Sequence, residues 1–323
     1  MNKLPMSTTQ ITFFPRSNRL REQPGLFTNA KPLLFLAMLI ICIGIIVTYR
    51  QHGAPDIKML LASTDEEIPG PKTLPDLANA ITEIIQKEEG EYSVLFSDHK
   101  SSDYISVNHK SAYTAASVIK IPLLAAIYQL ADAGEISLDE EITILRSDVQ
   151  DWGTGTIRYE SQPIRHTVRE ICQLLIEKSD NTAAYVITNR VIGPEKIQQI
   201  ISRWGLSQTN VAENLTSNQD IEKLMRMMFD GKIADEKLTA EMISWMDDSD
   251  YENRLSGLLP ESVNVYHKIG NEVRIIHDVG VIEFDGHRYY LGILSREVPD
   301  LERAERTIGT LSKTVYDYVR SKK

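Results

Sequence analysis

Residues 113–122 read Tyr-Thr-Ala-Ala-Ser-Val-Ile-Lys-Ile-Pro, and the rest of the fold is read outward from them. Ser117 and Lys120 stand three apart, a spacing that puts both side chains on one helical face. A serine hydroxyl is a weak nucleophile at its own pKa, and an amine within hydrogen-bond reach can take its proton. A helix start also leaves backbone N–H groups without partners, so one of them can face the oxyanion that forms when Ser117 attacks a carbonyl. Ile119, Leu123, Leu124 and Ile127 recur at helical spacing and predict a buried helix that holds the serine rigidly. Ser-x-x-Lys alone is weak, because a chain of 323 residues contains it about once by chance. Ser97 and Lys100 repeat it within Ser-Asp-His-Lys-Ser-Ser-Asp, which reads as a polar turn with nothing to align or bury the pair.

On the N-terminal side, residues 77–85 carry apolar positions at helical spacing, and residues 92–96 and 104–107 read as strands around that turn. A helix, a hairpin and then the Ser117 helix begin an α/β (α+β) domain. Downstream, Thr167-Val-Arg-Glu170 is a capping box that opens a helix burying Val168, Ile171, Leu174 and Leu175, and residues 181–191 predict another. After Pro260 the pattern becomes strands at 263–268, 278–284 and 289–294, the last two separated by Asp285-Gly286. A final helix carries Leu301, Ala304, Ile308, Leu311, Val315 and Tyr318 at helical spacing. Neither an internal repeat nor a low-complexity tract is present.

Two later stretches supply partners for Ser117. Ser179-Asp180-Asn181 lies 62 residues on, at a helix junction where small polar residues commonly serve as caps. Lys268-Ile269-Gly270 follows 89 residues after that, at the end of a strand, and taken alone is an ordinary turn. The ordered set Ser-x-x-Lys, Ser-Asp-Asn, Lys-x-Gly resembles the class A β-lactamase-like serine hydrolases, which include penicillin-binding proteins. The resemblance covers residues 76–321 and extends to Gly134-Glu-Ile-Ser-Leu-Asp139, residues 167–181, Trp245-Met246, Asn253-Arg254-Leu255 and Gly257-Leu258-Leu259-Pro260. It implies a five-stranded antiparallel sheet made from both chain ends and flanked by helices, with an all-helical subdomain from the middle of the chain.

By the same resemblance, Ser117 is acylated, Lys120 takes or relays its proton, and Ser179 passes a proton to the leaving nitrogen. Asn181 contacts substrate and Lys120, and Lys268 supplies positive charge near Ser179 and the substrate carboxylate. Gly270 lines the substrate strand, and the N–H groups of Ser117 and Asn271 form the oxyanion hole. Two lysines near each other favour a neutral amine able to act as a base. The chain departs from the family at two places. Position 269 is Ile where the family has Thr or Ser, removing a hydroxyl that binds the carboxylate of a penicillin. The stretch from Asn181 to Thr216 is too short for the usual loop with its Glu-x-x-Leu-Asn pattern, whose glutamate activates the deacylating water. Glu213 lies nearby outside that pattern, as a candidate base or a solvated acid. Gly153-Thr-Gly-Thr156 reads as a loop lining the site or a plain turn.

Composition bounds the alternatives. With 42% hydrophobic and 25% charged residues the chain is of globular type. Residues 1–50 carry six Lys and Arg against one Glu, leaving 29 basic and 44 acidic side chains for the body, a balance that disfavours nucleic-acid binding. Residues 32–49 are 18 consecutive uncharged positions, just long enough to span a bilayer, and no small-residue cleavage site follows them. Lys3, Arg16, Arg19, Arg21 and Lys31 precede the span against Glu22 alone, so the expected topology is a cytoplasmic segment 1–31, a single-pass cell-membrane anchor 32–49, a Pro- and Gly-containing linker 50–75, and an extracytoplasmic catalytic domain 76–323. Cys42 sits in the apolar run without the small residues of a lipoprotein site. Cys172 is then the body's one cysteine, which precludes an intramolecular disulfide there. The seven His residues show no ligand-spaced cluster and no phosphate-binding glycine loop occurs, so neither metal nor cofactor is implied. The expected activity is serine acyl-enzyme chemistry on small-molecule β-lactams or peptidoglycan peptides with slow deacylation; the alternative is a membrane-anchored penicillin sensor or inactive scaffold. About 31 residues before the span are too few for a sensor's effector domain.

Overall fold

Thr73 begins the first helix, α1 (Leu74–Gln86), by a reciprocal capping box with Asp76. The computed structural model describes residues 70–247 and 253–322, so the expected anchor at 32–49 and most of the linker lie outside the described residues. Helix α1 starts before the expected linker end because Pro75 falls in its first turn, where a missing N–H costs no hydrogen bond. Strands β1 (Glu91–Asp98), β2 (Tyr104–Val107) and the short β3 (Tyr113–Thr114) follow. Ser97 belongs to β1, where it is buried and accepts from Arg226 Nη2 at 2.7 Å. The expected turn therefore holds only Lys100, and the second Ser-x-x-Lys is split between a strand and a loop.

A tight 3₁₀ turn, Ala116–Ile119, leads into α2 (Lys120–Asp132). Helix α2 is apolar on almost every side and is buried accordingly, with Pro122 again in the first turn. Strands β4 (Glu141–Ile144) and β5 (Ile164–Thr167) pair antiparallel, so the middle of the chain is not all-helical as expected, and Thr167 caps α3 (Val168–Glu177) through the expected box with Glu170. Helix α4 (Asn181–Val186) runs into a wider π segment, Ile187–Ile192, and then α5 (Pro194–Arg203). After β6 (Leu215–Thr216) come α6 (Asn218–Phe229) and α7 (Glu236–Ser244). The chain ends with β7 (Asn264–Glu272), β8 (Ile275–Phe284), β9 (His287–Arg296) and α8 (Leu301–Ser321).

The sheet has five antiparallel strands in the order β2-β1-β9-β8-β7, so both chain ends build it and β7 forms one edge. Asp285 and Gly286 both take positive φ, +48° and +70°, as a two-residue turn between β8 and β9 requires. Side-chain alternation divides the interior in two. Along β1, Val94 and Phe96 join the core under α1 and α8, while Leu95 joins the core shared with α2 and the other helices. Asn218 at the start of α6 ties the helical layer to the sheet: its Nδ2 donates to Gly292 O at 2.8 Å, and its Oδ1 accepts from Tyr290 at 2.7 Å. Among the described residues no helix is long and apolar enough to cross a membrane.

Candidate active site

Ser117 lies in the 3₁₀ turn rather than in the α-helix proper, and Lys120 is the first residue of α2. With three residues per turn, positions i and i+3 eclipse, which brings the two side chains closer than an α-helical turn does. Lys120 Nζ lies 3.1 Å from Ser117 Oγ. The same amine donates to Ser179 O at 2.5 Å and Asn181 Oδ1 at 2.8 Å, and lies 3.1 Å from Ser179 Oγ. Ser117 is partly exposed, whereas Lys120, Ser179 and Asn181 are buried.

Counting protons on Lys120 shows what this geometry permits. The two carbonyl oxygens, Ser179 O and Asn181 Oδ1, can only accept, so each takes one N–H. A charged ammonium has one N–H left for the hydroxyls; a neutral amine has a lone pair that can accept from Ser117 O–H without unpairing either carbonyl. Burial holds the Lys120 amine well below its ordinary pKa, and the charge of Lys268 pushes in the same direction, against Asp180. The arrangement can therefore present a neutral base to the serine.

Asp180 builds the frame around this cluster. Its Oδ1 caps α4 through Thr182 N–H and Ala183 N–H at 2.8 and 3.0 Å. Its Oδ2 accepts Thr156 N–H and Ile157 N–H at 2.6 and 2.9 Å. The Gly153-Thr-Gly-Thr156 loop is thereby clamped onto Ser179-Asp180-Asn181, with Thr154 Oγ1 donating to Ser179 O at 2.7 Å and Asn181 Nδ2 donating to Trp152 O at 3.1 Å. Gly155 is required there: its φ is +122°, and a Cβ would meet Asp180 Oδ2 at 2.3 Å. Of the two readings of this loop, the lining one describes its position.

Strand β7 packs against the Ser117 turn. Gly270 makes this approach possible, since a Cβ there would lie 3.1 Å from Ala115 O and 3.3 Å from Ala116 Cβ. Lys268 is buried, and its one hydrogen bond among the described residues is a long 3.5 Å contact to Ile269 O. Burial pushes its pKa down to about 7 and Arg254 adds to this, while Asp278 opposes them. Ile269 is buried and apolar. Asn271 is exposed, and its Oδ1 accepts from Arg254 Nη2 at 2.8 Å.

Several features of the site were not legible in the motifs. Arg254, quoted above only as part of a supporting stretch, is buried and bridges Glu305, His277 O and Asn271 Oδ1. Ala116 and Ser179, on either side of the cluster, hold the left-handed φ values +46° and +49° that non-glycine residues seldom adopt. The loop at residues 204–214 is compact, closed by Asn210 N–H to Leu215 O and Leu215 N–H to Asn210 O, both 2.9 Å. Its Asn214 O accepts Ala115 N–H at 2.7 Å, which ties the loop to the nucleophile turn. Glu213 is exposed, and its backbone N–H donates to Asn210 Oδ1 at 3.1 Å. Among the described residues no carboxylate hydrogen-bonds Ser117 or Lys120.

Residues 76–319 match the model of the β-lactamase enzyme family. A β-lactamase of Bacteroides uniformis is 24% identical over 274 residues, covering 76% of this chain and 92% of that protein. Extended-spectrum β-lactamase PER-1 of Pseudomonas aeruginosa is 22% identical over 237 residues, covering 66% and 77%. Among solved structures, PBP-A superposes with a TM-score of 0.72 at 25% identity, covering 78% of this chain and 98% of its own. A β-lactamase from Chitinophaga pinensis DSM 2588 gives a TM-score of 0.72 at 20% identity, covering 76% and 99%. With three quarters of its length matched by the family model and the fold shared throughout that length, this chain belongs to the β-lactamase enzyme family and is a serine hydrolase of that type.

Proposed function

We propose that Ser117 attacks the amide carbonyl of a β-lactam or a cell-wall peptide, forming an acyl-enzyme that decays slowly. The observation that carries this reading is Lys120 Nζ at 3.1 Å from Ser117 Oγ, buried so that its neutral form is favoured. Attack transfers the serine proton to Lys120, and Ser179, whose Oγ is 3.1 Å from the same nitrogen, passes a proton to the departing amine. The substrate carbonyl oxygen lodges between the Ser117 turn and the Asn271 end of β7, where backbone N–H groups stabilise its charge. Lys268 offers charge to a substrate carboxylate, and Ile269 contributes no hydroxyl to it, which lowers affinity for penicillins. Support for the substrate class comes from the relatives, which are named β-lactamases, and from a PBP-A mutant solved as an acyl-enzyme complex with penicillin G.

Deacylation needs a second base to activate water. General-base assistance is worth roughly 10² to 10⁴ in rate; Glu213 of the compact 204–214 loop is exposed, and among the described residues no carboxylate hydrogen-bonds Ser117 or Lys120. The adduct is therefore long-lived. We place this chemistry outside the cytoplasmic membrane, with residues 32–49 as the anchor, on the sequence features given above.

The test is a single-turnover experiment with a fluorescent penicillin, following adduct formation and decay separately, with mass spectrometry to locate the adduct. A stable adduct on Ser117, abolished in Ser117→Ala and retained in Ser97→Ala and Glu213→Gln, is the expected result. Equal labelling of wild type and Ser117→Ala would sink the mechanism. Rapid multiple turnover without an accumulating adduct would refute slow deacylation.

A further inference from the structure

His277 lies on β8, fully buried, outside every motif discussed above. Both of its ring nitrogens are engaged. Ser295 N–H donates to Nδ1 at 3.0 Å, so Nδ1 carries a lone pair and the ring proton of a neutral imidazole sits on Nε2. From there Nε2–H donates to Thr114 O at 2.8 Å. One tautomer satisfies both contacts. Burial lowers the ring pKa to about 4, so the imidazole stays neutral near physiological pH.

Thr114 is three residues before Ser117, and the chain between them is strained. Ala116 holds φ at +46°, a conformation that costs on the order of 1–3 kcal/mol and persists only where the surroundings determine it. Beside the β3–β6 pairing of Tyr113 with Thr216 and Thr114 with Leu215, two bonds constrain its approach: Ala115 N–H to Asn214 O at 2.7 Å and His277 to Thr114 O. The imidazole also faces β7, where His277 pairs with Gly270 in the sheet register. A Cβ on Gly270 would stand 3.1 Å from both His277 Cδ2 and Ala115 O, so ring, strand and turn are in mutual contact. A shift of the ring therefore changes the separation of the Ser117 turn from β7, the two walls between which the substrate carbonyl lodges.

We infer that His277 is a positioning residue for the nucleophile, acting through its Nε2–H bond to Thr114 O to hold the Ser117 turn at its working distance from β7. This rests on the acyl-transfer reading of Ser117 given above. The bond does not touch the reacting atoms, so it affects how fast bound substrate is attacked more than how tightly substrate binds.

Two amide substitutions separate the ring's two bonds. His277→Gln puts an N–H near the Nε2 position and keeps donation to Thr114 O, but loses the acceptor for Ser295. His277→Asn keeps an acceptor near Nδ1 and is too short to reach Thr114 O. With the fluorescent penicillin, His277→Asn is expected to slow the first-order acylation step about 10- to 100-fold with little change in the preceding binding constant, the scale of a small misplacement of reacting groups. His277→Gln should stay within about threefold of wild type, although it melts no higher than His277→Asn. Acylation by His277→Asn at the wild-type rate, or equal slowing in both variants tracking their Tm, overturns the inference and leaves the Ser117 mechanism intact. If wild type forms no adduct, the acyl-transfer reading fails and this inference fails with it. Nitrogen-15 NMR of the wild-type ring gives a check independent of variant folding: an Nε2-protonated neutral ring at pH 7 is expected, and an Nδ1-protonated or charged ring overturns the assignment.

Discussion

Lys268 is a buried lysine with a pKa near 7, and its two states make opposite demands on the molecule. In the proposed mechanism its charged form serves a substrate carboxylate, while its neutral form suits the protein interior. The pH dependence of second-order acylation reports groups of the free enzyme. As pH rises through about 7, Lys268 loses its proton, and acylation by a carboxylate-bearing penicillin should fall along that limb. The methyl ester of the same penicillin should show no such fall, and Lys268→Arg, always charged, should flatten it. A pH-independent acylation rate between 6 and 9, measured by stopped-flow labelling (about one unit or more on either side of the titration), would remove the assigned role. Stability runs the other way. The folded-state pKa lies below the ordinary 10.5, so between about 7 and 10.5 the unfolded chain binds the extra proton and folding stability rises with pH; the penalty is complete below about 7. Lys268→Met should therefore raise Tm by roughly 3–10 °C at pH 6, less at pH 10, while lowering penicillin acylation. An unchanged or lowered Tm at pH 6 would show that the buried charge is well compensated.

The site elements differ in how legible they were, according to whether neighbouring or distant residues determine them. Ser117 with Lys120, and Asp180 with the start of α4, follow from spacing along one stretch of chain, and periodicity finds such features. Capping boxes are equally local. That of Thr73 and Asp76 was present to be read, and the prolines nearby gave it the look of a linker. The φ of Ala116, the bridge from Arg254 to Asn271 and the orientation of His277 depend on partners at least 17 residues away in the case of Arg254 and 163 in that of His277, which no local pattern encodes. The 150s loop falls between these cases: glycines at 153 and 155 marked a turn, but only the fold shows that Asp180 holds it. Because one carboxylate accepts four backbone N–H groups, Asp180→Ala should cost roughly 2–4 kcal/mol, combining a lost helix cap with loop donors left unpaired. Gly155→Ala attacks the same contact from the other side, through a Cβ 2.3 Å from Asp180 Oδ2, and should also lower Tm and slow acylation. Calorimetry paired with penicillin labelling checks both. A Gly155→Ala protein with wild-type melting and labelling would mean that the loop gives way without disturbing Ser179.

At the scale of the whole molecule, the strand and helix patterns at both ends of the chain pointed to the sheet because alternation along each strand is imposed by two buried faces, as β1 shows with Val94 and Phe96 on one and Leu95 on the other. That both chain ends share one antiparallel sheet was available only through the family resemblance, and the strand order only from the structure, since pairing β1 with β9 joins residues about 200 apart. That pairing has a consequence for where the folding unit begins. The five-stranded sheet needs both ends of residues 70–322, with α1 and α8 packed together over one face, and the family match begins at residue 76. None of those interactions calls on the charge-free stretch at 32–49, whose proposed task is attachment to the membrane. A protein beginning at Gly70 should therefore fold cooperatively and acylate with penicillin at the full-length rate, yet stay in the supernatant after membranes are pelleted. The full chain should pellet with membranes and resist carbonate extraction, and a reporter active only outside the cytoplasm, fused after Lys323, should be active. Arg50, which follows the apolar run, supplies a further discriminating test: if residues 32–49 are a cleaved leader, mass spectrometry of the mature protein will find an N-terminus beyond that point and a soluble product. An inactive reporter fusion would instead place the body on the cytoplasmic side, against the basic residues that precede the span.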